Sequence, residues 1–477
     1  MNIRNVDVAI IGSGSAGLNA RREVEKAGKR PLLIERGSYG TTCARVGCMP
    51  SKLLIAAADV AHELEGAGRF GLEVDGWRVQ AETLFGRVRS ERDRFVGFVV
   101  EDTEALPEEQ RLLGDARFVR PGVLQVGDHT EVHADAVVVA TGSTPIIPPP
   151  YDRIREHVLI NDDVFELTSV PASLAVVGTG IIGLELGQAL RRLGSEVSFF
   201  SPFEDLGPFT DPEVRRVTHD VLSQELDLQL ASAVHDAERV EDGIRLRWTD
   251  ARGQEQDRVF EQVLVAAGRR PALEGLDLGA AGLALDERGM PSWDPRTTQA
   301  GDSAVFLAGD VSGHRPLLHE ASDEGRIAGA NAAAFPRLTA HVRRSPIAVA
   351  FTDPNMAMVG ARFADLDPDA IEIGEVSFAN QGRARVMGKN QGLLRIYGDK
   401  ASCRLVGAEF IGPRAEHLAH LLAWAVQEGM TVTRALQMPF YHPVIEEGLR
   451  TALRDLADKL RVTGQCRGED LATAPGM

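Results

Sequence analysis

The sequence predicts an α/β fold: two doubly wound parallel-sheet units in series, followed by a separate α+β domain. Three observations predict it. An apolar strand, a glycine-rich turn, a helix and a second strand occur in that order twice. Each passage is closed, far downstream, by a β-branched run that ends in small residues. From about residue 345 the pattern changes to short strand-like pieces followed by helical ones.

The first passage is Asp7-Val-Ala-Ile-Ile11, the turn Gly12-Ser-Gly-Ser-Ala-Gly17, a helical pattern to about Lys26 and the strand Pro31-Leu-Leu-Ile-Glu35. The second is Leu174-Ala-Val-Val177, Gly178-Thr-Gly-Ile-Ile-Gly183, a helix to about Leu193 and Glu196-Val-Ser-Phe-Phe200. A doubly wound parallel sheet begins this way. The closing runs are Ala136-Val-Val-Val-Ala-Thr-Gly142 and Gln262-Val-Leu-Val-Ala-Ala-Gly268, and the proline-rich stretch 145–150 crosses between the units. In the C-terminal part, Gly392-Leu-Leu-Arg-Ile396 and Leu405-Val-Gly-Ala408 read as strands, and 415–427 and 446–460 as helices. The expected domains are 1–150, 151–273, a segment 274–344 that returns to the first unit, and 345–477. The tail after Val462 is expected to fray.

Composition narrows the classes of function. With 477 residues the chain is long enough for about three domains. No run of ~20 apolar residues that could span a bilayer occurs, and no basic leader opens the chain, so a cytoplasmic protein is expected. A net charge of −17 argues against nucleic acid or an anionic membrane as the main partner. Four cysteines do not make a disulfide framework in a chain of this length.

Each glycine turn follows a strand and opens a helix, the context in which G-x-G-x-x-G binds a dinucleotide. Gly12 and Gly178 permit the tight turn. Gly14 and Gly180 let the backbone approach a pyrophosphate, which rests on the helix N-terminus, and Gly17 and Gly183 let helix and strand pack closely. An acid ending the second strand would take a ribose hydroxyl. Glu35, 18 residues past Gly17, fills that role; the equivalent residue past Gly183 is Ser201. Glu204 is nearby, and no Lys or Arg occurs between Ser201 and Asp211 to receive the extra phosphate of NADP. NAD is therefore favoured at the second turn, with NADP not excluded.

Cys43-Ala-Arg-Val-Gly-Cys48-Met-Pro-Ser-Lys52 follows the first unit. Pro50 and Ser51 predict a helix starting right after Cys48, where a thiolate would be stabilised by the helix N-terminus. A zinc site would need two more ligands, and Cys403 and Cys466 have no paired spacing of their own; no metal site is expected.

Here the chain resembles the pyridine nucleotide–disulfide oxidoreductases, the family of dihydrolipoyl dehydrogenase, glutathione reductase and mercuric reductase. The resemblance runs from about Val6 to Leu460. It rests on Gly40-Thr-Thr-Cys43 through Lys52, Ala140-Thr-Gly142, Phe306-Leu-Ala-Gly-Asp310 and Tyr441-His-Pro-Val-Ile-Glu-Glu447. It implies two Rossmann-like domains, for FAD and NAD, and a C-terminal α+β dimerisation domain. It also implies a redox-active Cys43–Cys48 disulfide, with Cys48 as the charge-transfer thiol against the flavin and Cys43 exchanging with substrate. Lys52 matches the lysine near the flavin N5 and Glu185 its acidic partner. Asp310 would hold the ribityl chain, His319 would lie beside the flavin, and Thr141, Gly142 and Gly268 would line the cofactors. His442 and Glu447 match the acid–base pair that the second subunit contributes across a homodimer interface, making the active site composite. Imidazole titrates near neutrality, and a carboxylate orients it.

Three residues depart from the family pattern. Thr41 replaces the second glycine of a Gly-Gly pair, Arg45 stands where dihydrolipoyl dehydrogenases commonly have Asn, and Tyr441 stands where they have a small residue. Arg45 would stabilise a thiolate, attract an anionic substrate or point into solvent; Tyr441 would narrow the substrate channel. The expected activity is oxidation of a dihydrolipoyl dithiol with NAD, possession of a lipoyl-protein partner in a multienzyme complex being compatible with it. The alternative is an NAD(P)H-dependent reductase of another disulfide, metal ion or small acceptor, glutathione reductase-like or mercuric reductase-like. Missing arginines after Ser201 count against the former, and the solitary Cys466 against the latter. A non-catalytic flavoprotein subunit would not need intact Cys43, Cys48, His442 and Glu447.

Overall fold

The apolar run ending at Ile11 forms the buried half of strand Asn2–Ile11, which lies inside a seven-stranded sheet. The computed structural model describes residues 2–463, and the expected fraying of the tail, with Cys466, lies outside them. By packing, the chain divides into two units built from separate stretches of sequence. One runs to Leu53 and continues with Phe85–Ile146 and Gly268–Arg343; the other takes Leu54–Leu84, Ile147–Ala267 and the chain from Arg344 on.

In the first unit, strand Asn2–Ile11 lies between Pro31–Glu35 and Thr130–Val139, parallel to both, with Val8 opposite Pro31 and Ala136. The far edge of Thr130–Val139 is shared. Its first half pairs antiparallel with Val123–Val126, and its last three residues pair in parallel with Val305–Leu307. These central strands are buried on both faces, so they are continuous apolar runs without alternation. Helix Ser15–Lys26 buries Ala16, Ala20 and Val24, one stripe at helical spacing. Against it lies helix Leu318–Ala334. A Cβ added at Gly325 or Gly329 would meet the carbonyl oxygen of Ala16 or Ala20 at 2.2 and 2.3 Å, so only glycine allows the approach.

In the second unit, four parallel strands run in the order Asp227–Gln229, Glu196–Phe200, Ser173–Val177, Gln262–Val265. The antiparallel sheet Ala233–Val240, Gly243–Thr249, Glu255–Phe260 contributes Trp248 and Phe260, whose rings meet Phe200 edge-on at centroid distances of 5.0 and 5.9 Å. The C-terminal part is a five-stranded antiparallel sheet ordered Ile347–Ala350, Asn355–Gly360, Leu405–Gly412, Leu393–Asp399, Ile371–Ser377. Helices Ala415–Gln427 and Glu446–Thr463 bury Leu418, Leu422, Leu449, Leu453 and Leu456 in its core. Among the described residues, no helix is long and apolar enough to cross a membrane.

Arg192, the last residue of helix Ile181–Arg192, is 3% exposed and centres a charged cluster in this unit. Its guanidinium donates to both Glu225 oxygens at 2.8 and 3.0 Å and to Asp59 and Asp353 at 3.3 Å. Gln188, one turn earlier, accepts from the Asp353 amide at 2.9 Å. Burial opposes ionisation of Asp353, but Lys389 and Arg192 hold its carboxyl below the ordinary value. Replacing Arg192 with methionine leaves these carboxylates without their central cation. The expected cost is about 3–5 kcal/mol, read as a lowered denaturant midpoint in equilibrium unfolding.

Candidate active site

The two glycine turns are built alike. Gly12 and Gly178 have φ of +109° and +107°, and a Cβ at either would lie 2.3 or 2.4 Å from the carbonyl oxygen of Ala140 or Ala266. Each turn is thus clamped against the small-residue end of its closing run, the reason those runs end in alanine and glycine. Gly17 and Gly183 sit against the carbonyls of Gly12 and Gly178, where a Cβ would approach to 1.9 and 2.2 Å. In front of Gly14 and Gly180 a Cβ would meet nothing within 4 Å. These two residues cap helices Ser15–Lys26 and Ile181–Arg192, with no side-chain cap and no acid in the first turn of either. A helix start whose amides lack a side-chain acceptor, behind an open glycine, fits the pyrophosphate of a dinucleotide. Both sites meet that test.

At the ribose positions the units differ. Glu35 accepts from the Ser13 amide and hydroxyl at 2.9 and 2.7 Å and from the Gly37 amide at 3.0 Å, so it braces the first turn. Ser201 is buried, and its hydroxyl accepts from the Phe203 amide at 3.1 Å. On the far side of the first turn, Thr141 donates to the Ala272 carbonyl at 2.7 Å, and the Gly142 carbonyl accepts from the Ala272 amide. Gly268, with φ of +111°, gives its carbonyl to the Ile146 amide at 3.0 Å. Asp310 begins a short 3-10 turn and accepts from Ser143 at 2.8 Å; Arg269 in turn donates to the Ser143 hydroxyl. Gly309 brings this turn to helix Ser15–Lys26, since its Cβ would lie 3.1 Å from that of Ala16. Gly12, Gly14, Gly17, Thr141 and Asp310 therefore belong to one neighbourhood, although 298 positions separate the outermost. His319 is exposed in the first turn of helix Leu318–Ala334.

Sequence reasoning missed what supports Asp310. Glu324 is fully buried and accepts from the Gly309 amide at 2.8 Å, while Arg343 donates to Glu324 at 3.0 Å and to Glu320. Burial pushes the Glu324 carboxyl up, against the pull of Arg343. Acids at 320 and 324, four apart on a helix face made mostly of Ala and Gly, were the available signal.

Cys43 lies in the short helix Thr42–Val46, an element not expected from the sequence, and Cys48 itself opens helix Cys48–Glu65. Thr41 explains the first departure from the family pattern: its hydroxyl accepts from the Ala44 amide at 3.2 Å, capping the Cys43 helix. Arg45 folds back, donating to the Ser38 carbonyl at 3.2 Å and packing its side chain on Gly40. Cys48 is exposed and Cys43 partly so. A hydrogen bond to Cys48, then burial, push the Cys43 thiol up, and the Lys52 charge only partly offsets them. Glu185 is buried, with a carboxylate oxygen accepting from the Phe351 amide at 2.8 Å.

His442 Nδ1 lies 2.9 Å from a Glu447 carboxylate oxygen, and a neutral ring that donates there has Nε2 as its acceptor. Glu447 stands in the first turn of helix Glu446–Thr463, where a carboxylate suits the helix dipole. Its other oxygen accepts from Arg450 at 2.9 Å, and Gln381 holds the preceding loop through the Val444 carbonyl. Arg450, one helical turn past Glu447, was legible by spacing alone. The His442 side chain is 81% exposed and Tyr441 79%.

The pyridine nucleotide–disulphide oxidoreductase model matches residues 6–325, and the dimerisation-domain model of the same family matches 347–453. The chain belongs to this family. It is an oxidoreductase whose cofactors are FAD and NAD. It is 31% identical to dihydrolipoyl dehydrogenase 2 of Haloarcula marismortui over 94% of this chain and 95% of that one. It is also 31% identical to dihydrolipoyl dehydrogenase of Thermus scotoductus, over 95% and 98%. Among solved structures, LpdA of Mycobacterium tuberculosis superposes with a TM-score of 0.81 at 23% identity, over 94% of this chain and 99% of that one. The HOCl-induced flavoprotein disulfide reductase RclA of Escherichia coli, as its Cu(II) complex, gives 0.79 at 23%, over 96% and 99%. Both share the fold.

Replacing Thr41 with valine keeps the shape and removes the cap. The loss of about 1 kcal/mol is expected as roughly fivefold faster amide hydrogen exchange across 42–46.

Proposed function

We propose that the protein oxidises a dihydrolipoyl dithiol with NAD, through a Cys43–Cys48 disulfide beside bound FAD. The observation that carries this reading is the pair of contacting thiols, set in adjoining helices with Lys52 one turn on, in a chain alike over nearly its full length to dihydrolipoyl dehydrogenases. In this reading residues 1–150 with 274–344 hold FAD, 151–273 hold NAD, and 345–477 form the interface of a homodimer.

Gly12, Gly14 and Gly17 would receive the FAD pyrophosphate and Glu35 its adenosine ribose. Asp310 would take the polyol chain, with Thr141, Gly142, His319 and Lys52 around the ring system. Gly178, Gly180 and Gly183 would receive the NAD pyrophosphate, with Ser201 at the adenosine end and Glu185 and Gly268 toward the nicotinamide. When bound, the flavin carries electron pairs between the dithiol and the nicotinamide.

This chain's own residues would do the sulfur and proton chemistry. A substrate thiolate attacks Cys43 Sγ, the Cys43–Cys48 bond breaks, and Cys48 leaves as a thiolate. The second substrate sulfur then displaces Cys43, closing the substrate disulfide. His442 Nε2, from the second subunit, takes the thiol proton, and Glu447 stabilises the cation. A Cys43 thiol that holds its proton tightly needs such a base. In balance, the dithiol loses two electrons and two protons, NAD gains a hydride, and one proton is released. The net charge of −17 would suit a lipoyl protein that presents a basic segment.

The test is steady-state turnover of FAD-replete protein with dihydrolipoamide, comparing NAD with NADP. Fast NAD reduction is expected, and Cys43→Ser should lower it on the order of a thousandfold or more while NADH still reduces the flavin. No turnover of dihydrolipoamide, with a flavin that NADH reduces, would assign the site to another disulfide or acceptor.

A further inference from the structure

An acid that ends the second strand commonly selects NAD by binding the adenosine ribose. In the second glycine unit that position is Ser201, which is buried and spends its hydroxyl on the Phe203 amide. The loop that follows is pinned on all sides. The Asp205 carbonyl accepts from Thr179 Oγ1 at 2.8 Å, and the Gly207 amide donates to the Thr179 carbonyl at 2.9 Å. Thr179 stands between the clamped Gly178 and the open Gly180 of the turn. The Phe203 carbonyl accepts from the Ala231 amide at 3.1 Å, and the Thr210 and Asp211 amides both donate to the fully buried Glu409.

This frame presents Glu204 one residue from a carbonyl tied to the dinucleotide turn. Glu204 is exposed, and Phe203 beside it is 67% exposed. The nearby cation, Arg215, is ion-paired to Asp205. We infer that Glu204 is the residue that selects NAD, taking the adenosine ribose hydroxyls that the Ser201 position cannot. Phe203 offers its face to the adenine, and Asp205 withholds Arg215 from a 2′-phosphate. An anionic side chain at 204 binds a diol by charge-assisted hydrogen bonds and repels a phosphate in the same place. Ser201 and Thr179 act as positioning residues for the loop. The inference rests on assigning the Gly178 turn to NAD and is independent of the dithiol substrate.

The test is calorimetric titration of the FAD-loaded dimer with ADP-ribose and with 2′-phospho-ADP-ribose, fragments that carry no nicotinamide. The wild-type protein should bind ADP-ribose the more tightly. Glu204→Ala should weaken ADP-ribose on the order of tenfold and erase most of the preference, with Glu204→Gln between the two. Asp205→Asn, which frees Arg215, should strengthen 2′-phospho-ADP-ribose several-fold. Unchanged ADP-ribose affinity in Glu204→Ala overturns the inference. Wild-type protein that binds neither fragment overturns it together with the NAD assignment of the Gly178 turn. Failure to oxidise dihydrolipoamide, with the fragment pattern intact, removes only the substrate reading.

Discussion

Two helix starts left without side-chain caps are the constraint on which the rest of the molecule turns. A helix N-terminus with unsatisfied amides is stable only if something else supplies the acceptors. Here nothing in the first turns of Ser15–Lys26 and Ile181–Arg192 does so, while Gly14 and Gly180 keep the approach open. The surroundings keep that approach open at backbone level. The carbonyls of Ala140 and Ala266 press on Gly12 and Gly178, and Gly325 and Gly329 let a second helix pack against the first at carbonyl distance. A larger residue at any of these places would displace the glycine turn.

Buried charge then fixes what the glycines leave free. Glu324 holds the Gly309 amide, Arg343 holds Glu324, and Asp310 is set by that turn together with Ser143. In the other unit Arg192 and Gln188 grip the backbone and carboxylate of Asp353, on the same helix face as Glu185 and its bond to the Phe351 amide. A buried pair of this kind adds little net stability compared with apolar packing. Its contribution is orientation: the turn that carries Asp310 and the loop that carries Asp353 are each held by a buried ionic partner.

The α/β class and the duplicated glycine unit were legible because their signals are local: strand, turn and helix lie within 30 residues, and the first and third glycines of each turn answer a steric demand that no other residue meets. The Cys43–Cys48 neighbourhood was legible only in outline. The helix Thr42–Val46 is five residues long, too short for any periodicity, and depends on a single threonine cap. Arg45 could not be placed from sequence, since its partner is a backbone carbonyl. Glu324 and Arg343 were missed for a related reason: a pair 19 residues apart leaves no periodic pattern along the chain, and an Arg or Glu reads as a solvated side chain until its neighbours are known. The exposed His442 and Tyr441 show the opposite limit, since few contacts within the chain mark either of them out.

Strand Val305–Leu307 completes the first sheet by pairing with Thr130–Val139, across a gap that contains all of the parallel sheet Ser173–Val177 to Gln262–Val265. A ribosome therefore delivers the second glycine unit whole before the first one has its last strand. For that interval the edge of Thr130–Val139 that will receive residues 305–307 stays unpaired, with Val137, Val138 and Val139 at 0–1% exposure in the finished fold. Such an edge is a site for pairing with the wrong chain. The order of synthesis thus leaves this edge open to mispairing until residues 305–307 have been made.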